Sequence, residues 1–230
     1  MADAPDAFEL TAAQARVLGA LLEKQLTTPD AYPMTLNALT TACNQTSNRD
    51  PVVHYEPTQV ETTLLALKAK GLARVIHPGS GERATKFRHV LDEAIDLDAP
   101  DRALVCVLLL RGAQTLAELK TRTERMHPFD APDDVEDALD RLAGRDPALV
   151  ARVDRAPGQR EGRWIQLLEA GAERRAAVTS PVTITPTTRV TTGPVELEQR
   201  VAALELRLAT LIESLGDLVE LPEATTDRGM

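Results

Sequence analysis

The strongest constraint on the fold is an internal repeat. Pro57, Val60, Leu64 and Leu67 recur, at the same steps of three, four and three, as Pro132, Val135, Leu139 and Leu142. Proline pre-sets the backbone of a first helical turn, and the apolar residues that follow fall on one face of a helix. The flanking signals repeat in the same order. Thr35 with Leu36 and Leu39 is matched by Thr115 with Leu116 and Leu119, the pattern of a threonine-capped short helix. Glu118 adds a capping box in the second copy alone. Earlier still, Thr11 and Gln14 fit a capping box ahead of Val17, Leu18, Leu21 and Leu22, and residues 103–110 supply the second counterpart of that helix. Downstream, Gly71 offers a left-handed stop, residues 72–76 read as a strand, Gly79-Ser80-Gly81 as a turn and residues 83–90 as the return strand. Residues 149–153, Ala156-Pro157-Gly158 and residues 162–168 repeat that hairpin.

The helix-helix-helix-hairpin order, used twice, predicts a mainly α fold with small β wings, in the α+β class: two tandem winged-helix domains plus a C-terminal heptad helix. The alternative is one larger helical domain with two incidental hairpins. The expected boundaries are a tail over 1–9, the first winged helix over 10–92, the second over 93–169, a Thr/Pro-rich linker over 170–193, an amphipathic coiled-coil-like helix over 194–221 and a tail over 222–230. In that helix Leu197, Val201, Leu204, Leu208, Leu211, Leu215 and Leu218 alternate steps of four and three, a heptad seam suited to homo-oligomers. Ile212 and Val219 widen the seam beyond a two-stranded zipper, and docking of the helix onto the body is the alternative.

Aromatics are only 3% of the chain, so aliphatic side chains must build the cores, and a stacking platform for single strands is disfavoured. Cys43 and Cys106 each lie in an apolar helical context and read as buried thiols in a reducing cytosol. The N-terminal residues lack the basic and apolar regions of a signal peptide, and the longest apolar run, residues 103–110, cannot span a bilayer. The expectation is a cytoplasmic protein.

The stretches LTAAQARVLGALLEKQLTTPDAYP, LNALTTACNQTSNRDPVV, LLLRGAQTLAELKTRTERMHPF and PGQREGRW resemble the YceH-like family of bacterial proteins. The resemblance covers roughly residues 10–168, and ACNQTSNRDP and LLLRGAQT are its most specific parts. It implies two winged-helix domains in tandem and no particular activity. The linker and the heptad helix lie outside it.

Winged helices are binding modules, so the candidate site residues are donors. Arg74, Arg83, Lys86, Arg88 and His89 gather on the first hairpin, and Arg152, Arg155, Arg160 and Arg163 on the second. Such arginines can hold phosphates or enter a minor groove; the plainer reading is an exposed hairpin face paired with nearby acids. Gln59, at the start of the first third-helix, can read adenine. The loop residues Asn44, Gln45, Ser47, Asn48 and Arg49 either orient a partner or satisfy turn amides. Against DNA stand the net charge of −9 and the acids Asp133, Asp134, Glu136, Asp137 and Asp140 on the second third-helix. Acids in a first turn also favour the helix dipole.

Histidine and cysteine spacing is not metal-like, and phosphate-loop and nucleophile-elbow motifs are absent, so no cofactor, metal or catalytic residue is expected. The leading expectation is double-stranded DNA bound through the basic wings, in transcriptional regulation. The alternative is a scaffold whose winged helices bind a protein partner.

Overall fold

The computed structural model describes residues 9–78, 84–153 and 161–172. The first hairpin turn, Arg83, Arg155, Arg160, residues 173–193 of the expected linker and the seam from Leu197 to Leu218 therefore lie outside the described residues.

Helix α1 (Ala12–Thr27) starts where the sequence says it should. The Thr11 N–H donates to Gln14 Oε1 at 2.9 Å, and the Gln14 N–H donates back to Thr11 Oγ1 at 3.2 Å. Strand β1 (Met34–Thr35) leads into α2 (Leu36–Cys43), capped by the Thr35 hydroxyl. Helix α3 (Pro57–Ala69) has Pro57 in its first turn and buries Val60, Leu64 and Leu67. Gly71, at φ 72°, takes the left-handed conformation that stops it. Strands β2 (Ala73–Ile76) and β3 (Lys86–His89) form the hairpin, and β3 also pairs with β1 to give the sheet order β1-β3-β2.

A four-residue helix, α4 (Leu91–Ala94), joins the halves. The second half then runs α5 (Ala99–Arg111), α6 (Leu116–Thr123), α7 (Pro132–Ala143), β4 (Val150–Val153) and β5 (Arg163–Gln166). Its capping box pairs Thr115 with Glu118. The strand before α2 has its counterpart too: Gln114 and Trp164 exchange backbone hydrogen bonds of 2.9 and 2.7 Å. Trp164 is buried against the core. The described chain is thus a mixed α+β fold in which one order of elements occurs twice. None of its described helices is long and apolar enough to cross a membrane.

The core does not divide at residues 92 and 93. One continuous apolar cluster contains Leu18, Leu22, Leu39 and Leu67 together with Leu104, Leu108, Leu139 and Leu142. Helices α1 and α5 pack at a close crossing, where a Cβ on Gly19 would lie 3.0 Å from Leu110 and 3.1 Å from Leu109. Leu10 is held at both backbone groups: its N–H donates to the Leu168 carbonyl at 2.8 Å, and its carbonyl accepts from the Ala170 N–H at 3.0 Å. Cys43 and Cys106 are free and buried, and burial pushes the Cys43 thiol up to about 12.

Candidate functional site

On the first hairpin Arg74 and Arg88 face one another in register. Like charges directly opposite are unfavourable unless a counter-charge intervenes. Glu93 of α4 supplies it, accepting from Arg88 Nη2 at 2.7 Å and pairing with Arg74 Nη2 at 2.8 Å. Two arginines on one carboxylate leave a single positive charge, and the Arg74 side chain remains 55% exposed. Lys86 is half-buried in the sheet.

His89 does not belong to that charged group. It is 1% exposed, with Nε2 hydrogen-bonded to Gln25 Oε1 and Nδ1 accepting from the Leu91 N–H at 3.2 Å. An Nδ1 that accepts carries no proton, so the 3.6 Å approach of Asp92 to it is not an ion pair. Burial, opposed by Asp92 and reinforced by Arg102 and Arg88, pushes His89 down to about 4.

The second hairpin is similarly compensated. Arg152, 60% exposed, lies 3.7 Å from Glu136 of α7. Arg163 donates to Glu118 at 3.1 Å and to the Ala113 carbonyl at 2.9 Å, tying the hairpin to the cap of α6.

The third helices differ. In α3 the exposed side chains include Thr58, Gln59, Glu61 and Thr62. An open groove of about 450 Å³, lined by uncharged residues, runs between Thr58, Gln59 and Thr62 and the start of α1 at Thr11 and Gln14. In α7 Asp133, Asp134, Asp137 and Asp140 are all exposed. Asp134 accepts from the Ala131 N–H at 2.8 Å, a structural role at the helix start. Asp137 and Asp140 lie beyond the first turn, where the dipole gives a carboxylate no support.

The loop over 44–51 is a joint rather than a row of free donors. Asn44 and Tyr55 exchange hydrogen bonds of 2.8 and 2.7 Å. The Arg49 side chain is 0% exposed. It pairs with both Glu23 oxygens at 2.7 and 3.1 Å, and donates to the Ala42 carbonyl and to Gln45 Oε1. Burial would raise the Glu23 carboxyl, but Arg49 and Lys24 hold it below its ordinary value. Asn48 takes φ 60°, the left-handed region that asparagine tolerates, and its side chain accepts from Arg111. The Asp50 N–H donates to the Leu110 carbonyl at 2.9 Å. The loop therefore fastens α1 and α2 to the end of α5, and of its residues Arg49 is unavailable to a ligand.

Sequence reading missed Glu93, the acid that sets the charge of the first hairpin. It lies on a helix of one turn with no periodicity to detect, and only its place just after the return strand hinted at it.

The fold and these surfaces define an α+β protein in which one order of elements occurs twice and the described hairpin arginines Arg74, Arg88, Arg152 and Arg163 sit against acids. Residues 10–159 match the family described as "Protein of unknown function, DUF480". The chain belongs to that family. It is 50% identical to a UPF0502 protein of Geotalea daltonii over 172 residues, 75% of this chain and 78% of the relative. It is 45% identical to a UPF0502 protein of Geobacter sulfurreducens over 202 residues, 86% and 88% of the two chains. A UPF0502 protein of Cellvibrio japonicus is 42% identical over 211 residues, 92% and 94%.

Proposed function

We propose that the chain is a tandem winged-helix protein acting as a protein-interaction module in the cytoplasm, with α7 facing a basic partner. The observation that carries this reading is the placement of charge. The arginines Arg74, Arg88, Arg152 and Arg163 each sit against a carboxylate, while Asp133, Asp137 and Asp140 form an exposed stripe at helical spacing on α7. In a helix-turn-helix protein the third helix meets the major groove, and such a stripe there repels phosphate. Co-purification from cells tests the reading. A stable protein partner that survives nuclease treatment, and is lost on combining Asp133→Lys, Asp137→Lys and Asp140→Lys, is the expected result. Recovery of DNA without a protein partner overturns it.

A second reading, double-stranded DNA bound by the first unit alone, is favoured by the near-neutral face of α3. Gln59 and Thr58 are exposed there near two acids, Glu56 and Glu61, against the four exposed aspartates of α7, and the half-exposed Arg74 can exchange Glu93 for a phosphate. Exposed ion pairs contribute only about 0–1 kcal/mol, so that exchange is permitted. Fluorescence anisotropy with duplex DNA at low salt separates the readings: binding lost in the Arg74→Ala, Arg88→Ala variant favours DNA. The heptad seam over 194–221 supports homo-oligomers with either ligand. Truncation before Pro194 followed by light scattering tests it, and an unchanged mass removes that role.

A further inference from the structure

Between α1, α5 and α6 lies a cavity of about 280 Å³. Three arginines reach it: Arg111 from the end of α5, Arg122 from α6 and Arg125 from the turn after α6. Val107, Leu110 and Met126 supply apolar wall, and Thr27 and Thr121 add hydroxyls. The charges do not cancel. Arg122 is spoken for by Glu118 at 3.3 Å, a carboxylate that Arg163 shares. Glu23, the acid on the cavity wall, is neutralised from behind by Arg49 at 2.7 Å. That leaves Arg111, which donates to the neutral Asn48 amide oxygen, and Arg125, which makes no ion pair among the described residues. Burial lowers the pKa of Arg111, and the neighbouring Arg122 and Arg49 lower it further against the opposing pull of Glu23 and Glu118. A partly buried guanidinium crowded by other arginines, with a neutral amide rather than a carboxylate as its hydrogen-bond partner, is a place where an added anion is electrostatically favoured.

We propose that this cavity binds a small organic phosphate, its phosphate held by Arg111 and Arg125 and its apolar body laid against Val107, Leu110 and Met126. Guanidinium groups match phosphate oxygens in geometry and charge, and an added anion relieves the repulsion among the arginines. The volume lies at the small end of ligand pockets, which suits a compound no larger than a mononucleotide and excludes a duplex. The walls come from both repeats, with Asn48 of the joint at the edge, so a bound ligand touches the seam of the molecule.

Calorimetric titration of the full chain with inorganic phosphate, phenyl phosphate and adenosine monophosphate tests the site. Both organic phosphates should bind at least about tenfold more tightly than inorganic phosphate and raise the melting temperature by mass action. Arg125→Gln, at an exposed position that leaves folding intact, should weaken each by about tenfold or more without moving the ligand-free melting temperature. Met126→Ala should weaken the organic phosphates and spare inorganic phosphate. Absence of binding by all three probes at about 10 mM, a concentration that would detect even weak sites, overturns the proposal. So does unaltered affinity in Arg125→Gln, or equal binding of inorganic and organic phosphates. If a short duplex binds at low salt in competition with phenyl phosphate, the cavity serves a nucleic-acid backbone and the small-molecule assignment falls.

Discussion

Replacing Arg49 by methionine should be among the most damaging single changes in the first repeat. Every nitrogen of the Arg49 guanidinium is occupied, and its partners include two Glu23 oxygens and the Ala42 carbonyl near the end of α2. Methionine fills much of the same space, so little of the loss comes from a cavity. The loss comes from stranding Glu23, whose side chain is only 12% exposed, and the Ala42 carbonyl. Removing one member of a buried ion pair typically costs about 3–5 kcal/mol. For a folded body of this size that is roughly 6–20 °C in melting temperature at about 2–4 °C per kcal/mol. Thermal and urea unfolding of Arg49→Met, Glu23→Leu and the double variant measure it. The double variant should recover part of the loss, because no charge is then left unpaired. A loss below about 1 kcal/mol, the range of a surface pair, would refute the reasoning and return Arg49 to the set of free donors.

Glu93→Gln removes the carboxylate shared by Arg74 and Arg88. Stability should fall by less than about 1 kcal/mol, and duplex DNA affinity at low salt should rise several-fold only if the hairpin meets phosphate. His89 is depressed from 6.5 to about 4, so the folded state resists the proton that the unfolded state accepts. Its contribution is complete above pH 6.5 and is lost as pH falls towards 4, by about 3 kcal/mol at 1.36 kcal/mol per pH unit. Urea unfolding from pH 7 to 4 should show a flatter profile for His89→Gln than for the wild type; parallel profiles would exclude His89 as the cause. Gly19→Val places methyl groups into the α1–α5 crossing, where Leu110 lies 3.0 Å from a Cβ. It should cost about 1–3 kcal/mol by overpacking, read as a lower urea midpoint at unchanged slope.

Local signals were legible. Thr11, Thr35 and Thr115 cap the helices they announce, Pro57 and Pro132 open theirs, and Gly71 stops α3. Each of these depends on a few adjacent residues and a backbone geometry that side-chain chemistry dictates. What escaped the sequence depends on residues far apart in it. Strand β1 is two residues long, too short for alternation, and exists because β3 returns beside it. Arg49 and Arg74 look alike in a sequence, yet one is sealed against Glu23 and the other lies half-open on a hairpin. The shared core did leave a trace. Residues 103–110 are apolar all round, the mark of a helix covered on every side, whereas an end helix of a free-standing domain would show a polar face.

That trace sets the strongest condition on the architecture. Helix α1 is buried continuously from Gln14 to Leu22, and α5 from Ala103 to Leu110. No helix hides all its faces within a three-helix unit, so each must use the other repeat for part of its cover. Separating the chain between α4 and α5 would bare residues such as Cys106, Leu109 and Leu110, together with the facing strip of α1 around Gly19. Aliphatic side chains contribute about 1.5–3 kcal/mol each on burial, so exposing four of them removes on the order of 6–12 kcal/mol. That equals the whole stability of a typical small domain. Residues 1–96 and 97–172, produced separately, should lack cooperative unfolding and bind hydrophobic dye, and should regain a single transition when co-expressed. A first repeat that melts cooperatively alone would show that the duplicated units are independent domains, and that the continuous core is contact without dependence.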